Sequence, residues 1–277
     1  MFAYSIRSLL YMPFKKMNVK AFLLRLIGYP LYFSGIYSIL NRIIRNKGVY
    51  ILMYHRIGVR GDAHYYDDIS VKKEEFIKQV EYFKKNYCCV SMSEAVSIIE
   101  NNVKLDKDYL VFTFDDGYLD NIQHGLDIFN QYQVKPIIYA TAGKVETGTP
   151  IWTEIVDWLI ANANKKRLEI DIKGKKLSGN TDNDKAICEF AGEVKAVLFE
   201  MPQKELYEYL DKLQQELGVQ ALDLKNELLT WNDAKIFLDS GGEIGSHTMN
   251  HINFAAESQE IISNELIESR KLIERRL

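Results

Sequence analysis

The sequence predicts an α/β domain built on parallel strands, and three observations carry that expectation. From Val49 onward, short apolar runs alternate with segments whose apolar residues recur at helical spacing. One run, Val111-Phe112-Thr113-Phe114, ends in two adjacent carboxylates and a glycine, Asp115-Asp116-Gly117. A second, Glu243 to Ser246, leads into His247-Thr248-Met249-Asn250-His251, with two histidines four positions apart.

The first strand is expected over Val49 to Ile57. Phe76, Val80 and Phe83 then mark an amphipathic helix from about Val71 to Asn86. Cys88 to Val90 forms the second strand, and Ser91-Met92-Ser93-Glu94 has the form of a capping box that opens a helix through Glu100. Tyr109 to Asp115 is the third strand, followed by a helix with Leu119, Ile122, Leu126 and Phe129 on its buried stripe. Lys135 to Ala142 is the fourth. Thr230-Trp231-Asn232-Asp233 opens another capped helix, Ser240-Gly241-Gly242 ends it, and Glu243 to Ser246 is the fifth strand. A last helix runs from about Ala256 to the terminus. Between about residues 150 and 229 the rhythm breaks, with a hairpin over Arg167 to Leu177 turning near Lys173-Gly174 and then two charged amphipathic helices; this stretch reads as an insertion.

A chain of 277 residues, 47% hydrophobic and 26% charged, is long enough for one large domain or a domain with an appendage. The net charge of -3 conceals an asymmetry. Residues 1 to 50 carry eight Lys and Arg and no acid, leaving 27 basic against 38 acidic residues, a net charge of -11, in the rest. The basic leader, residues 1 to 47, is interleaved with aromatic and branched side chains, a mixture suited to a membrane surface. Its run from Ala21 to Leu40 contains Arg25 and Pro30, and no small-residue cleavage pattern follows, so neither a clean spanning helix nor a secretory signal is expected. The alternative is an amphipathic leader packed on its own domain. The expected location is membrane-associated or cytoplasmic, and no nucleic-acid partner is expected. Cys88, Cys89 and Cys188 match neither a disulfide framework nor a zinc-ligand spacing and read as buried apolar residues.

Neighbouring side chains on a strand point to opposite faces, so Asp115 and Asp116 can share a pocket only where the chain leaves the sheet. Gly117 permits that departure. Asp116, His247 and His251 then supply three ligands for a divalent metal, with at least one position open for water or substrate. A bound ion lowers the pKa of its water and polarises a carbonyl, and Asp115, beside a ligand, is placed to take a proton. Either motif alone is weak evidence: an Asp pair is often a helix cap or a solvated turn, and two histidines at this spacing are often surface residues. Together, at two strand ends of one α/β pattern, they make a site. His55, at a strand end, is a candidate for the pocket wall, whereas His64 and His124 read as surface residues. A glycosidase using the carboxylate pair fits less well, because adjacent Asp residues need not flank a glycosidic bond and the histidines would have no role.

Thr113-Phe114-Asp115-Asp116-Gly117-Tyr118 and Ser246-His247-Thr248-Met249-Asn250-His251 resemble the first two motifs of the polysaccharide deacetylases, the NodB-homology family of carbohydrate esterases. Met53-Tyr54-His55-Arg56-Ile57 and Lys135-Pro136-Ile137-Ile138-Tyr139-Ala140-Thr141 also resemble strands of that family, so the likeness covers Val49 to Leu277 apart from the insertion. The resemblance implies a distorted (β/α) barrel that removes N-acetyl groups from a polysaccharide or glycan with the help of a divalent metal, zinc by expectation. It implies Asp116, His247 and His251 as metal ligands and Asp115 as the base. The family's later motifs supply an arginine that orients the base, a wall of the acetyl pocket and a histidine acid. They are not found before Leu277, so the barrel is expected to be incomplete at its C-terminus. The alternative is a non-catalytic metal- or glycan-binding protein of the same fold.

Overall fold

The computed structural model describes residues 47–58, 69–219 and 227–277, together with Ser34. The rest of the leader, with its expected membrane-surface role, and His64 lie outside the described residues. Among the described residues, no helix is long and apolar enough to cross a membrane.

Strand β1 (Val49–Tyr54) is followed by β2 (Arg56–Ile57), which pairs in parallel with β3 (Ser70–Val71). Helix α1 (Lys73–Asn86) leads to β4 (Cys88–Cys89), and α2 (Met92–Glu100) leads to β5 (Tyr109–Phe114). After α3 (Asp120–Gln123) and α4 (Leu126–Tyr132) come β6 (Ile137–Ala140) and α5 (Ala142–Thr147). The expected insertion holds α6 (Trp152–Ala161), the hairpin β7 (Arg167–Ile172) and β8 (Lys175–Asn180), α7 (Asp184–Leu198) and α8 (Gln203–Glu216). Then follow α9 (Trp231–Asp239), β9 (Glu243–Ser246), a 3-10 turn at Phe254–Ala256 and α10 (Gln259–Arg276).

The main sheet is parallel and open, in the order β1-β5-β6-β9, with β4 also on β5. β1 runs along the whole of β5, from Val49 opposite Tyr109 to Tyr54 opposite Phe114. The other edge of β5 is therefore shared: β4 takes Tyr109 and Leu110, and β6 takes Thr113 and Phe114. This fork splays the sheet in the manner of a barrel wall, and the barrel is not closed among the described residues. Register assigns the two faces. Tyr54, Phe112 and Phe114 lie on one, against Phe76 of α1 and Phe129 of α4; the Phe76 ring is 5.2 Å from Tyr54, 5.8 Å from Phe114 and 6.0 Å from Phe129. The other face carries Ile51, Met53, Val111, Thr113 and Asp115 in step. There Ile51 and Met53 are 55% and 67% exposed.

Local sequence explains most element ends. Ser91 and Thr230 each form a reciprocal capping box, with Glu94 and Asp233 respectively. The β7–β8 turn puts Lys173 and Gly174 at φ 52° and 86°, the paired left-handed residues of a tight hairpin, and the Gly174 N–H donates to the Asp171 carboxylate at 2.7 Å.

Several expectations need correction. The first strand breaks at His55, because Arg56 turns into a buried cluster: its Nε donates to Asp120 at 2.8 Å, its guanidinium lies 4.1 Å over the Tyr118 ring, and it also pairs with Glu227. The next helix begins at Lys73 rather than Val71, which is spent on the β2–β3 pair. The helix after β5 divides at His124-Gly125, with Ile122, Ile128 and Phe129 buried and Leu119 and Leu126 only half-buried. Helices α5 and α6 were not anticipated. The three cysteines are half-buried rather than buried residues. His124 is half-buried and sits against Gly58, where a Cβ would come within 2.9 Å of its ring.

Phe76 is fully buried at the centre of the aromatic cluster, so Phe76→Ala should lower the unfolding free energy in urea by about 3–5 kcal/mol. Met53→Ala, on the open face, should stay within about 0.5 kcal/mol of the parent.

Candidate metal centre

β5 carries Asp115 to the C-terminal end of the sheet, where its N–H still donates to Tyr54 O at 2.8 Å. The next two residues leave the strand with left-handed backbones, φ 75° at Asp116 and 89° at Gly117. That reversal breaks the alternation of a strand and lets adjacent carboxylates serve one region. At Gly117 a side chain would have both an unfavourable φ and a Cβ 3.2 Å from Ala140 Cα. Flanking chain holds the reversal: Thr141 N–H donates to Asp116 O at 3.1 Å, Leu229 N–H to Gly117 O at 2.9 Å and Leu119 N–H to Glu227 O at 2.8 Å.

β9 delivers the second motif. His247 N–H donates to Ala140 O at 2.8 Å, so the histidine motif starts from the same β6 strand end that braces Asp116. Beyond it the chain turns tightly. Thr248 and His251 have φ 68° and 60°, His251 N–H donates to Thr248 Oγ1 at 2.8 Å, and Thr248 N–H to Ser246 Oγ at 3.1 Å. Gly143 N–H donates to Met249 O at 2.9 Å, and a Cβ on Gly143 would lie 2.6 Å from that oxygen. Of six non-glycine residues with positive φ among those described, Asp116, Thr248 and His251 belong to these two loops. Each such residue costs about 1–3 kcal/mol, strain that persists only where the surroundings over-determine it.

The side chains converge. Asp116 Oδ1 lies 3.4 Å from His247 Nε2 and 3.1 Å from His251 Nε2, and one donor atom from each residue lies within 4.8 Å of the others. Asp116 is only 4% exposed, yet Oδ1 makes no well-formed hydrogen bond. A buried carboxylate oxygen left in that condition, facing two imidazole nitrogens, fits a divalent cation that accepts oxygen and nitrogen donors, as zinc does. The pair of imidazoles is held by their loop, and Trp152 Nε1 donates to His251 O at 3.3 Å. Trp152 carries no motif and was not foreseen, and Thr141, the last residue of the family-like strand segment from Lys135, braces Asp116 in a way its sequence did not announce.

The neighbouring carboxylates are electrostatically unlike. Burial lifts the Asp115 carboxyl above its ordinary range, and the attraction of His247 and His55 offsets it only in part. Burial also opposes ionisation of Asp116, but contact with His251 and the charges of His55 and His247 prevail and hold it below the ordinary range. His251 follows the same contest: burial disfavours its charged form, Asp116 outweighs burial, and its pKa rises. Burial lowers His247. His55, half-buried just after β1, contributes to the electrostatics of both carboxylates. All four residues expected from sequence, Asp115, Asp116, His247 and His251, meet at one strand-end rim.

A family model described as polysaccharide deacetylase matches residues 102–277. The chain belongs to the polysaccharide deacetylase family. The match begins later than the stretch from Val49 over which motifs suggested it. Among curated proteins, YxkH of Bacillus subtilis (strain 168), named for polysaccharide deacetylase, is 31% identical over 90 residues, 32% of this chain and 30% of YxkH. The chain thus aligns with less than a third of that relative's length. Among solved structures, the Streptococcus pyogenes deacetylase PplD in complex with acetate superposes with a TM-score of 0.50 at 18% identity, covering 83% of this chain and 69% of PplD. IcaB from Ammonifex degensii gives a TM-score of 0.48 at 13% identity over 83% and 70% of the two chains. The likeness to PplD concerns the fold.

At a metal site built on these imidazoles, protons and the metal would compete for the same nitrogens. As pH falls from about 8 to 5, zinc or cobalt affinity measured by competition with a chelating dye should fall, His251 taking the first proton because Asp116 raises its pKa. His247→Ala and His251→Ala should each abolish stoichiometric binding. An affinity indifferent to pH, or full stoichiometry in both variants, would remove the imidazoles from the ligand set.

Proposed function

We propose that this deacetylase-family chain is a metal-dependent hydrolase that removes N-acetyl groups from an acetylated polysaccharide or glycan. The observation that carries the reading is the convergence of Asp116 Oδ1 with the Nε2 atoms of His247 and His251, with Asp115 alongside. Family membership supports the substrate class, and the donor set supports zinc or a similar ion.

Asp116, His247 and His251 would hold the cation, which when bound supplies Lewis acidity toward water and an amide carbonyl. Asp115 receives the proton of the attacking water. Burial keeps its carboxylate more basic than a free aspartate, as the task requires, while Asp116 next to it stays ionised as a ligand. The water oxygen bonds to the acetyl carbon, the C–N bond breaks, and acetate and the sugar amine separate. Asp115, having taken the proton of the water, can return it to the leaving amine. In this reading the partner is the acetylated glycan itself, and residues 1 to 47 would bring the domain to a membrane surface.

Protein loaded with zinc or cobalt should release amine from acetylated chito-oligosaccharides. Asp115→Asn should lower kcat by about 10²–10⁴-fold while leaving metal stoichiometry unchanged, since it removes a proton acceptor and not a ligand. Metal binding without amine release from any acetylated glycan would favour the non-catalytic reading.

A further inference from the structure

Helix α10 has an unusual buried face. Of its eighteen residues, those buried are Glu265, Ser269 and Leu272, so the stripe at i, i+4 and i+7 presents a carboxylate and a hydroxyl where a docked helix ordinarily presents apolar side chains. Leu266 and Ile267, by contrast, are exposed. A carboxylate 7% exposed is costly unless each lone pair is engaged.

The partners of Glu265 are all in the histidine loop. Oε2 accepts from the backbone N–H groups of Met249 and Asn250 at 2.8 and 2.9 Å, and Oε1 accepts from Asn250 Nδ2 at 2.7 Å. Four residues further along, Ser269 Oγ lies 2.6 Å from Ser246 Oγ, which in turn accepts Thr248 N–H. The helix therefore grips the segment between His247 and His251 at both ends of its turn. The two N–H groups that Glu265 binds lie between Thr248 and His251, both left-handed and neither glycine. Lys144 is near enough to add a favourable charge to the same anion.

We infer that Glu265 is a positioning residue for the metal ligands, holding the strained Thr248–His251 turn in the one conformation that points both imidazoles at Asp116. The inference rests on the metal-binding reading above. It assigns the polar stripe of α10 a purpose that packing does not provide: an apolar residue at 265 would dock the helix but leave two loop N–H groups unpaired. Residues that orient ligands in this way commonly govern affinity by about 10–100-fold.

The test measures zinc and cobalt dissociation constants and the cobalt visible spectrum for the full chain, for Glu265→Ala and Glu265→Gln, and for Leu272→Ala. Leu272→Ala loosens the same helix without touching the turn. Glu265→Ala should weaken binding about 10–100-fold and alter the intensity of the cobalt bands, which reports ligand geometry. Glu265→Gln, which keeps an acceptor for both N–H groups once Asn250 turns its amide, should recover most of the loss. Leu272→Ala should lower thermal stability and leave affinity and spectrum as in the parent. If Glu265→Ala binds and absorbs like the parent, or if Leu272→Ala weakens binding equally, the positioning role is overturned while the metal site stands. If the parent chain takes up neither ion, the metal reading falls and this inference with it.

Discussion

A single buried carboxylate organises the working end of this fold. Asp116 is nearly closed off from water, and isolating an ionised group there costs several kcal/mol unless opposite charge or hydrogen bonds answer it. The answer comes from His247 and His251, which approach Oδ1 to 3.4 and 3.1 Å from a distant part of the chain. This one contact ties β5 to β9 across β6, and it is made by residues in strained backbone on both sides. Strain concentrated in these loops, which hold three of the six positive-φ non-glycine residues among those described, is the pattern expected where orientation of a few side chains outweighs local comfort.

The strand between the two motifs does more than fill the sheet. β6 accepts His247 N–H at Ala140, and Thr141 just beyond it donates to Asp116 O. The segment 227–229 meets residues 117–119 from the other side, through the Tyr118–Leu228 bridge and its flanking hydrogen bonds. The end of the insertion therefore braces the carboxylate loop, and Trp152 at its start donates to His251 O. What looked in sequence like an interruption of the βα rhythm is built into the support of both halves of the site.

Chemistry follows from asymmetry between neighbours. Asp115 and Asp116 differ by one position, yet burial raises one carboxyl while histidine contact lowers the other. A ligand must remain ionised and a base must hold a proton for a time, so a pair driven apart in this way suits the ligand and base roles proposed above. The polar face of α10 belongs to the same economy of orientation, since its carboxylate serves loop N–H groups and not the hydrophobic core.

The α/β class, the main strands near 49, 109, 137 and 243, the two capping boxes and the two motifs whose side chains converge at the rim were legible in sequence, because periodicity, capping and compact motifs are local signals. The hairpin turn at Lys173-Gly174 was readable for the same reason. The break at His55 was not, since it depends on Arg56 finding Asp120 and Glu227 far along the chain. Nor were Trp152 or Glu265, whose residue types give no local hint of a role: on sequence alone Glu265 is one more charge on a charged helix. Sequence by itself pointed to the side chains that converge at the rim and to the strands that deliver them. Only the tertiary structure decided how Asp116 Oδ1 comes within 3.4 and 3.1 Å of the two imidazoles, because that approach is made by a left-handed backbone at one residue and by hydrogen bonds from segments remote in the chain.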